Sequence, residues 1–395
     1  MEDSTGIRSI GDRLRSIRKR RGLTQEELSG ESGVSVSLIR KLEQGERDDL
    51  RVETARKLAV ALRVATTRIL AAADAEESDE GPGSEWDPVA RALAGLAGEP
   101  EEDPDAGSVL AAAAEVRPLI AANRFSDARP LIAAMVRDAY ALDADDQDGR
   151  EARFRALNMT GWVLTQMRQW DAADMTLSQA AACAPAPLDA ASVVKTRIWL
   201  HLRRGDLPAA IEAAQAAAYD IEPRWSRATP AELSLWGHLQ LNIANAAVRD
   251  NRSREADDAL KLAGSAATRI GREIMSDPST TRVFGPWTVA CARAEIAVLD
   301  DRPDKTLSIK ERIPAAAFPA DDMTLLRHQL DVAHAYTLRK KYPEAVSMFS
   351  RIRSAAPEWL PRQRYGRDIF ARIVEERRTV TPEMNDIADL VGVPL

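Results

Sequence analysis

Three short runs decide how this chain begins: Gly22-Leu23-Thr24-Gln25-Glu26-Glu27-Leu28, then Gly33-Val34-Ser35, then Ile39-Arg40-Lys41-Leu42-Glu43-Gln44-Gly45. Thr24 followed three residues later by Glu27 is a capping box, which starts a helix at Gln25. Gly33 supplies the left-handed backbone turn that lets two short helices meet at a steep angle. Ser35 caps the second helix and Gly45 stops it. Leu28, Val34, Ile39 and Leu42 are spaced to share one small core, which leaves Val36, Ser37, Arg40 and Lys41 on the outward face of the second helix.

Residues of about 8–73 resemble the XRE-type helix-turn-helix family of lambdoid phage repressors and their bacterial relatives, through Thr24-Gln25, Gly33-Val34-Ser35 and Leu42-Glu43-Gln44-Gly45. The resemblance implies a five-helix DNA-binding domain. It implies that Gln25 clamps a phosphate, that Val36, Ser37 and Lys41 read base edges, and that Ser35, Arg47 and Arg51 touch the DNA backbone. It also implies an internal ion bridge between Arg18 and Glu43. One departure is Asp48-Asp49, where the family often has a proline; two carboxylates there oppose the backbone contact at Arg47 and Arg51. The side chains themselves add a constraint. Val36 and Ser37 can meet a thymine methyl or make one hydrogen bond, so discrimination falls mainly to Arg40 and Lys41, which suit guanine O6 and N7.

The net charge of −7 over 395 residues argues against nucleic acid only until it is divided. Residues 1–73 hold 15 Lys+Arg against 11 Asp+Glu, residues 74–106 hold one Arg against 12 acids, and residues 107–395 hold 38 of each sign. The acidity therefore lies in the middle segment, and Arg18-Lys19-Arg20-Arg21 gives the first segment a basic cluster that can reach phosphates. Segment 74–106 reads as an extended linker from its like charges and Gly/Pro content, with Trp86 and Val89–Leu96 able to dock as a brief helix. Two cysteines exclude a disulfide framework, and their spacing to the four histidines matches no zinc pattern. With no signal peptide and no membrane-length apolar run, a cytoplasmic protein is expected.

Beyond residue 107 the sequence is helical and repeats. Leu157, Gly161, Leu164, Trp170, Ala173, Leu177, Ala180 and Pro185 fit the tetratricopeptide pattern of two closely crossing antiparallel helices. Further copies centre on Ala128, Ala210, Ala256, Thr306 and Ala345. Their spacings of 37 to 50 residues exceed the usual ~34, so helices or loops are longer than standard. The expected fold is all-α: a helix-turn-helix domain (1–73), a linker (74–106) and a tetratricopeptide-like α-solenoid (107–395). Phe284-Gly285-Pro286-Trp287-Thr288-Val289-Ala290, Asp331–Tyr336 and Asp386–Leu390 resemble actinobacterial regulators that join these two parts. In domain order alone, the chain is similar to the peptide-sensing quorum regulators of Gram-positive bacteria.

The repeat register projects Arg155, Asn158, Trp162, Lys195, Trp199, His238, Asn245, Thr288, Glu295, Arg327 and His334 onto the concave face. Such aromatic, amide and charged groups suit capture of an extended peptide or a small polar ligand. The alternative for each is plain packing between repeats. No P-loop, dinucleotide glycine pattern, nucleophile elbow or metal cluster is present in the sequence, so neither an enzyme nor a cofactor is expected. Two readings stay open. In one, a homodimeric regulator binds a palindromic DNA operator and its solenoid senses a peptide or small molecule. In the other, the solenoid is a platform for a partner protein, with no small ligand.

Overall fold

The computed structural model describes residues 9–47, 50–70, 85–100, 102–143, 145–275, 277, 280, 282–377 and 379–395. Asp48, Asp49 and linker residues 74–84, singled out from the sequence, lie outside the described residues. The architecture is all-helical, as expected, and no described residue lies in an extended strand beyond an isolated antiparallel bridge between Ile274 and Phe284. No described helix is long and apolar enough to cross a membrane.

The N-terminal head comprises α1 (Ile10–Arg20), α2 (Gln25–Ser32), α3 (Val36–Glu43) and α4 (Val52–Ala61), closed by a 3-10 turn at Thr66–Arg68. The local chemistry matches the sequence reading. Thr24 and Glu27 form a reciprocal capping box, Gly33 sits at φ 68°, and the Ser35 hydroxyl accepts from the Leu38 amide. Leu14, Leu28, Ile39, Leu42 and Leu58 are fully buried in one small core. Burying an aliphatic side chain contributes about 1.5–3 kcal/mol, so this handful of residues accounts for the head's cohesion.

Within the expected linker, α5 (Asp87–Leu93) docks on the body, burying Trp86, Val89, Ala92 and Leu93. The body is a stack of helical hairpins: α6 (Ala106–Ala121) with α7 (Phe125–Ala141), α8 (Gln147–Gln166) with α9 (Trp170–Ala182), and α10 (Pro187–Arg204) with α11 (Leu207–Asp220). Then come α12 (Pro230–Arg249) with α13 (Ser253–Ile270), and α14 (Pro286–Leu299) with α15 (Pro303–Lys310). The stack ends with α16 (Met323–Leu338) and α17 (Tyr342–Ala355), then α18 (Arg364–Glu376) and α19 (Pro382–Val391). The six predicted centres, Ala128, Ala173, Ala210, Ala256, Thr306 and Ala345, all fall fully buried on the second helix of a hairpin. Each is small because the first helix passes close by. The last hairpin is one more than the six repeat centres indicated.

The stack does not stay open. Asn123 Nδ2 donates to the Asp321 carbonyl at 2.8 Å, the Ser126 amide donates to Glu358 at 2.8 Å, and Arg203 donates to Gln363 Oε1 and the Arg362 carbonyl, each at 3.2 Å. One continuous apolar core joins the first hairpins to the last. The superhelix thus closes on itself.

A second departure lies between α13 and α14, where Asp277 and Phe284 meet the first helices of the hairpins. Ile274 and Phe284 form the isolated bridge, and Phe284 fills the space where a Cβ at Gly237 would lie, 2.1 Å from its ring. Asp277 accepts from the Ser192 hydroxyl and pairs with Lys195 at 3.4 Å.

His328, on α16, is 4% exposed, and neither ring nitrogen has a hydrogen-bond partner among the described residues. Burial pushes its pKa down to about 4. The imidazole is therefore neutral in the fold but protonates near pH 6.5 once unfolded, so its share of stability is lost as pH falls from 6.5 toward 4. Chemical denaturation at pH 5 against pH 7 should show a loss of stability of which His328→Leu removes about 1–2 kcal/mol, the buried His238 and His334 contributing in the same sense.

Candidate nucleic-acid interface

Within the helix-turn-helix a buried ion pair ties α1 to α3. Arg18 Nε and Nη2 meet the two oxygens of Glu43 at 2.6 and 2.7 Å, a bidentate fork between α1 and α3. Gln25 Nε2 donates to the same carboxylate at 2.9 Å. Burial raises the Glu43 pKa, yet the Arg18 and Gln25 hydrogen bonds prevail and hold it below the usual carboxylate range. This fixes α3 relative to α1. Gln25, expected at a phosphate, is therefore half-buried at the N-terminus of α2 with its amide already engaged on Glu43. Ser35 is exposed and caps α3; Val36 is half-buried; Ser37, Arg40 and Lys41 are exposed along one helix, with Arg47 exposed just beyond it.

The opposite side of the head is seated on the body. Arg56, on α4, donates from Nε to the Val248 carbonyl at 2.8 Å and from Nη2 to Asp300 at 2.9 Å. Thr66 Oγ1 donates to the Arg249 carbonyl at 2.7 Å, the Thr67 amide donates to Asp250 at 2.7 Å, and Asn251 returns a bond to the Val64 carbonyl at 3.2 Å. The final carbonyls of a helix have no partners within it and carry partial negative charge. Arg56 and Thr66 thus cap α12. Arg51, expected at a phosphate, instead donates to Asp368 on α18 at 2.9 Å.

The concave face carries a buried polar lattice. Glu295 pairs with Arg249 at 2.7 Å and with Arg327 at 3.6 Å. Burial pushes its carboxyl up, but the two guanidinium groups bring it below the usual range. Beside it, burial and the charge of Glu295 push the Asp331 carboxyl well above that range. His334 Nδ1 lies 2.9 Å from the Tyr365 hydroxyl, and burial drives its pKa to about 4.

The ten residues expected to meet a ligand fall into three groups. Trp199, Arg327 and His334 line a cavity of about 520 Å³ between the head and the body. Asn158, Lys195 and His238 lie near Asp277 and Phe284: Asn158 donates weakly to Ser192, itself bonded to Asp277, Lys195 pairs with Asp277, and the His238 ring lies 5.1 Å from Phe284. Burial, then Lys195 and Arg282, keep His238 neutral. The remaining four are internal. Trp162 is core, Thr288 donates to Glu273 at the start of α14, and Asn245 and Glu295 are both engaged with Arg249. Arg155, also projected onto the groove, pairs with Asp189 at 3.6 Å. Sequence reasoning missed Arg56, Thr66 and Asp250, whose partners lie about 180 residues or more away in the chain.

Residues 14–69 match the helix-turn-helix family model. A curated relative, an uncharacterized HTH-type transcriptional regulator called RghRB from Bacillus subtilis (strain 168), is 40% identical over 64 residues. That match covers 16% of this chain and 46% of the relative, so the two share somewhat under half of the relative's length. No solved structure matches the chain. The chain therefore carries a helix-turn-helix domain at its N-terminus.

Removing one member of a buried pair leaves an uncompensated charge, at a cost of about 3–5 kcal/mol. Glu43→Ala in the full chain should accordingly unfold the head while leaving the hairpin stack intact. Hydrogen exchange would show protection lost across α1–α4 and retained in α8–α17.

Proposed function

We propose that this chain is a DNA-binding transcriptional regulator whose helical body dimerises, holds the head and senses a small ligand. The observation that carries the reading is the orientation of the head: α4 is seated on the body, while Ser37, Arg40 and Lys41 on α3 remain exposed. A helix-turn-helix presents its second helix to the major groove, with Lys and Arg on guanine edges and short side chains on methyl groups. Ser35 and Arg47 would then meet phosphates around it, and Gln25 through the amide hydrogen that it does not give to Glu43. The uncharacterized relative is itself named a transcriptional regulator. The sensing part is supported by the partly enclosed cavity that the seated head leaves over the concave face. A single head makes a modest DNA interface, so tight operator binding calls for two heads on one dimeric scaffold.

Selection of binding sites from random duplexes, followed by footprinting, tests the reading. The expected product is a palindrome with half-sites about one helical turn apart. Lys41→Ala should cost about 1–3 kcal/mol and relax preference at one base position. Equal weakening on all sequences would assign Lys41 to phosphate, and no sequence preference at moderate salt would refute operator recognition.

The Arg51–Asp368 pair sets a competition, because Arg51 cannot hold a carboxylate and a phosphate in one geometry. Its side chain is 55% exposed, so the pair is worth at most about 1 kcal/mol. Asp368→Ala should thus tighten operator binding by up to about fivefold in a fluorescence-anisotropy titration. Arg51→Ala should erase that gain.

A further inference from the structure

The cavity between the seated head and the concave face has a divided chemistry. Val52 and Val60 of the head, with Leu299 and Leu338 of the body, give it apolar surface. The charged part of the lining is basic: nine Lys and Arg against four Asp and Glu. Asp300, Glu295 and Glu376 pair with Arg56, Arg249 and Arg372 from outside the lining, and cations still outnumber carboxylates with these three included. A surplus of positive charge in a partly enclosed, low-dielectric space favours an anionic occupant.

Arg327 is the focus of that field. Its guanidinium carbon lies 5.0 Å from the Tyr365 ring centroid and 5.7 Å from that of Trp199. Its contact with Glu295 is long, at 3.6 Å, and its buried Nε has no hydrogen-bond partner among the described residues. A guanidinium held between two rings is already oriented, so an incoming anion meets fixed donors.

We propose that this cavity binds a small amphipathic organic anion, its carboxylate, sulfonate or phosphate group held by Arg327 and Arg372 and its apolar body by Val52, Leu299 and Leu338. A volume of about 520 Å³ suits a ligand of that size. Both the head and the body build the site, so occupancy and seating of the head favour each other. The proposal deepens the sensing part of the regulator reading and rests on it only for the link to DNA.

The test uses the full chain and a fluorescent probe, 8-anilinonaphthalene-1-sulfonate, against its neutral counterpart N-phenyl-1-naphthylamine. The sulfonate should bind at one saturable site, and the neutral amine about tenfold more weakly or worse. Arg327→Gln and Arg372→Gln should each weaken the sulfonate about tenfold with helix content unchanged. Arg372 lies at the exposed rim in a pair with Glu376, so its variant keeps the test sound if loss of Arg327 disturbs the fold. Asp250→Ala, which removes the Thr67 contact without touching the lining, should weaken the probe at least about threefold, because it loosens one wall. Equal affinity for the two probes, or no effect of Arg372→Gln, would overturn the proposal. An operator titration of the same preparations separates the readings: failure there with probe discrimination intact overturns the regulator reading and leaves the anion site standing.

Discussion

The end of α12 is the constraint on which the arrangement depends. Its last two carbonyls receive hydrogen bonds from the head, Val248 from Arg56 beside one from the Asn251 amide and Arg249 from Thr66, while the Thr67 amide takes Asp250. Arg56 also spans to Asp300 at the end of α14, so one guanidinium answers two helix termini. Without the head, these bonds would pass to water, and Arg56 would lose the electrostatic compensation of its two acceptors. The seat is polar rather than greasy. Polar seats of this kind are reversible, since water can replace each bond at modest net cost.

The interior of the body follows the same principle of internal satisfaction. Lys195, Asp277, Arg249, Glu295, Arg327 and Asp331 are charges or potential charges at low exposure, and each except Asp331 has an opposite partner within 3.6 Å. Asp331 meets the problem differently, with its carboxyl pushed toward the neutral form by burial and by Glu295. Such a lattice adds little net stability compared with apolar packing, but a wrong arrangement is penalised heavily. It therefore specifies one arrangement of the hairpins around the cavity.

Much of the fold was legible in the sequence because its determinants are local. The Thr24–Glu27 box, Gly33, Ser35 and the Arg18–Glu43 spacing act within some 25 residues, and the repeat centres mark close helix crossings between neighbours. The concave face was less legible. Helical register gives the side of α8 or α12 on which Asn158 or His238 stands, but not what covers it. Here the cover comes from Asp277 and Phe284 and from a head more than 180 residues distant, neither of which leaves a periodic trace. The same distance hid the partner of Arg51: its place in the helix-turn-helix pattern implied phosphate, whereas tertiary structure gave it Asp368.

Closure of the stack has a consequence for folding. In an open repeat array each unit touches only its neighbours, so unfolding can begin at either end and spread gradually. Here the contacts of Asn123 with Asp321 and of Ser126 with Glu358 bring together segments about 200 residues or more apart. Neither end can fray without breaking a core shared with the other. The loop that must close before those contacts form is long, which slows folding relative to an open array of equal length. Once formed, the ring resists the progressive winding and unwinding by which linear arrays flex, so any change at its centre is taken up as local repacking within a stiff frame.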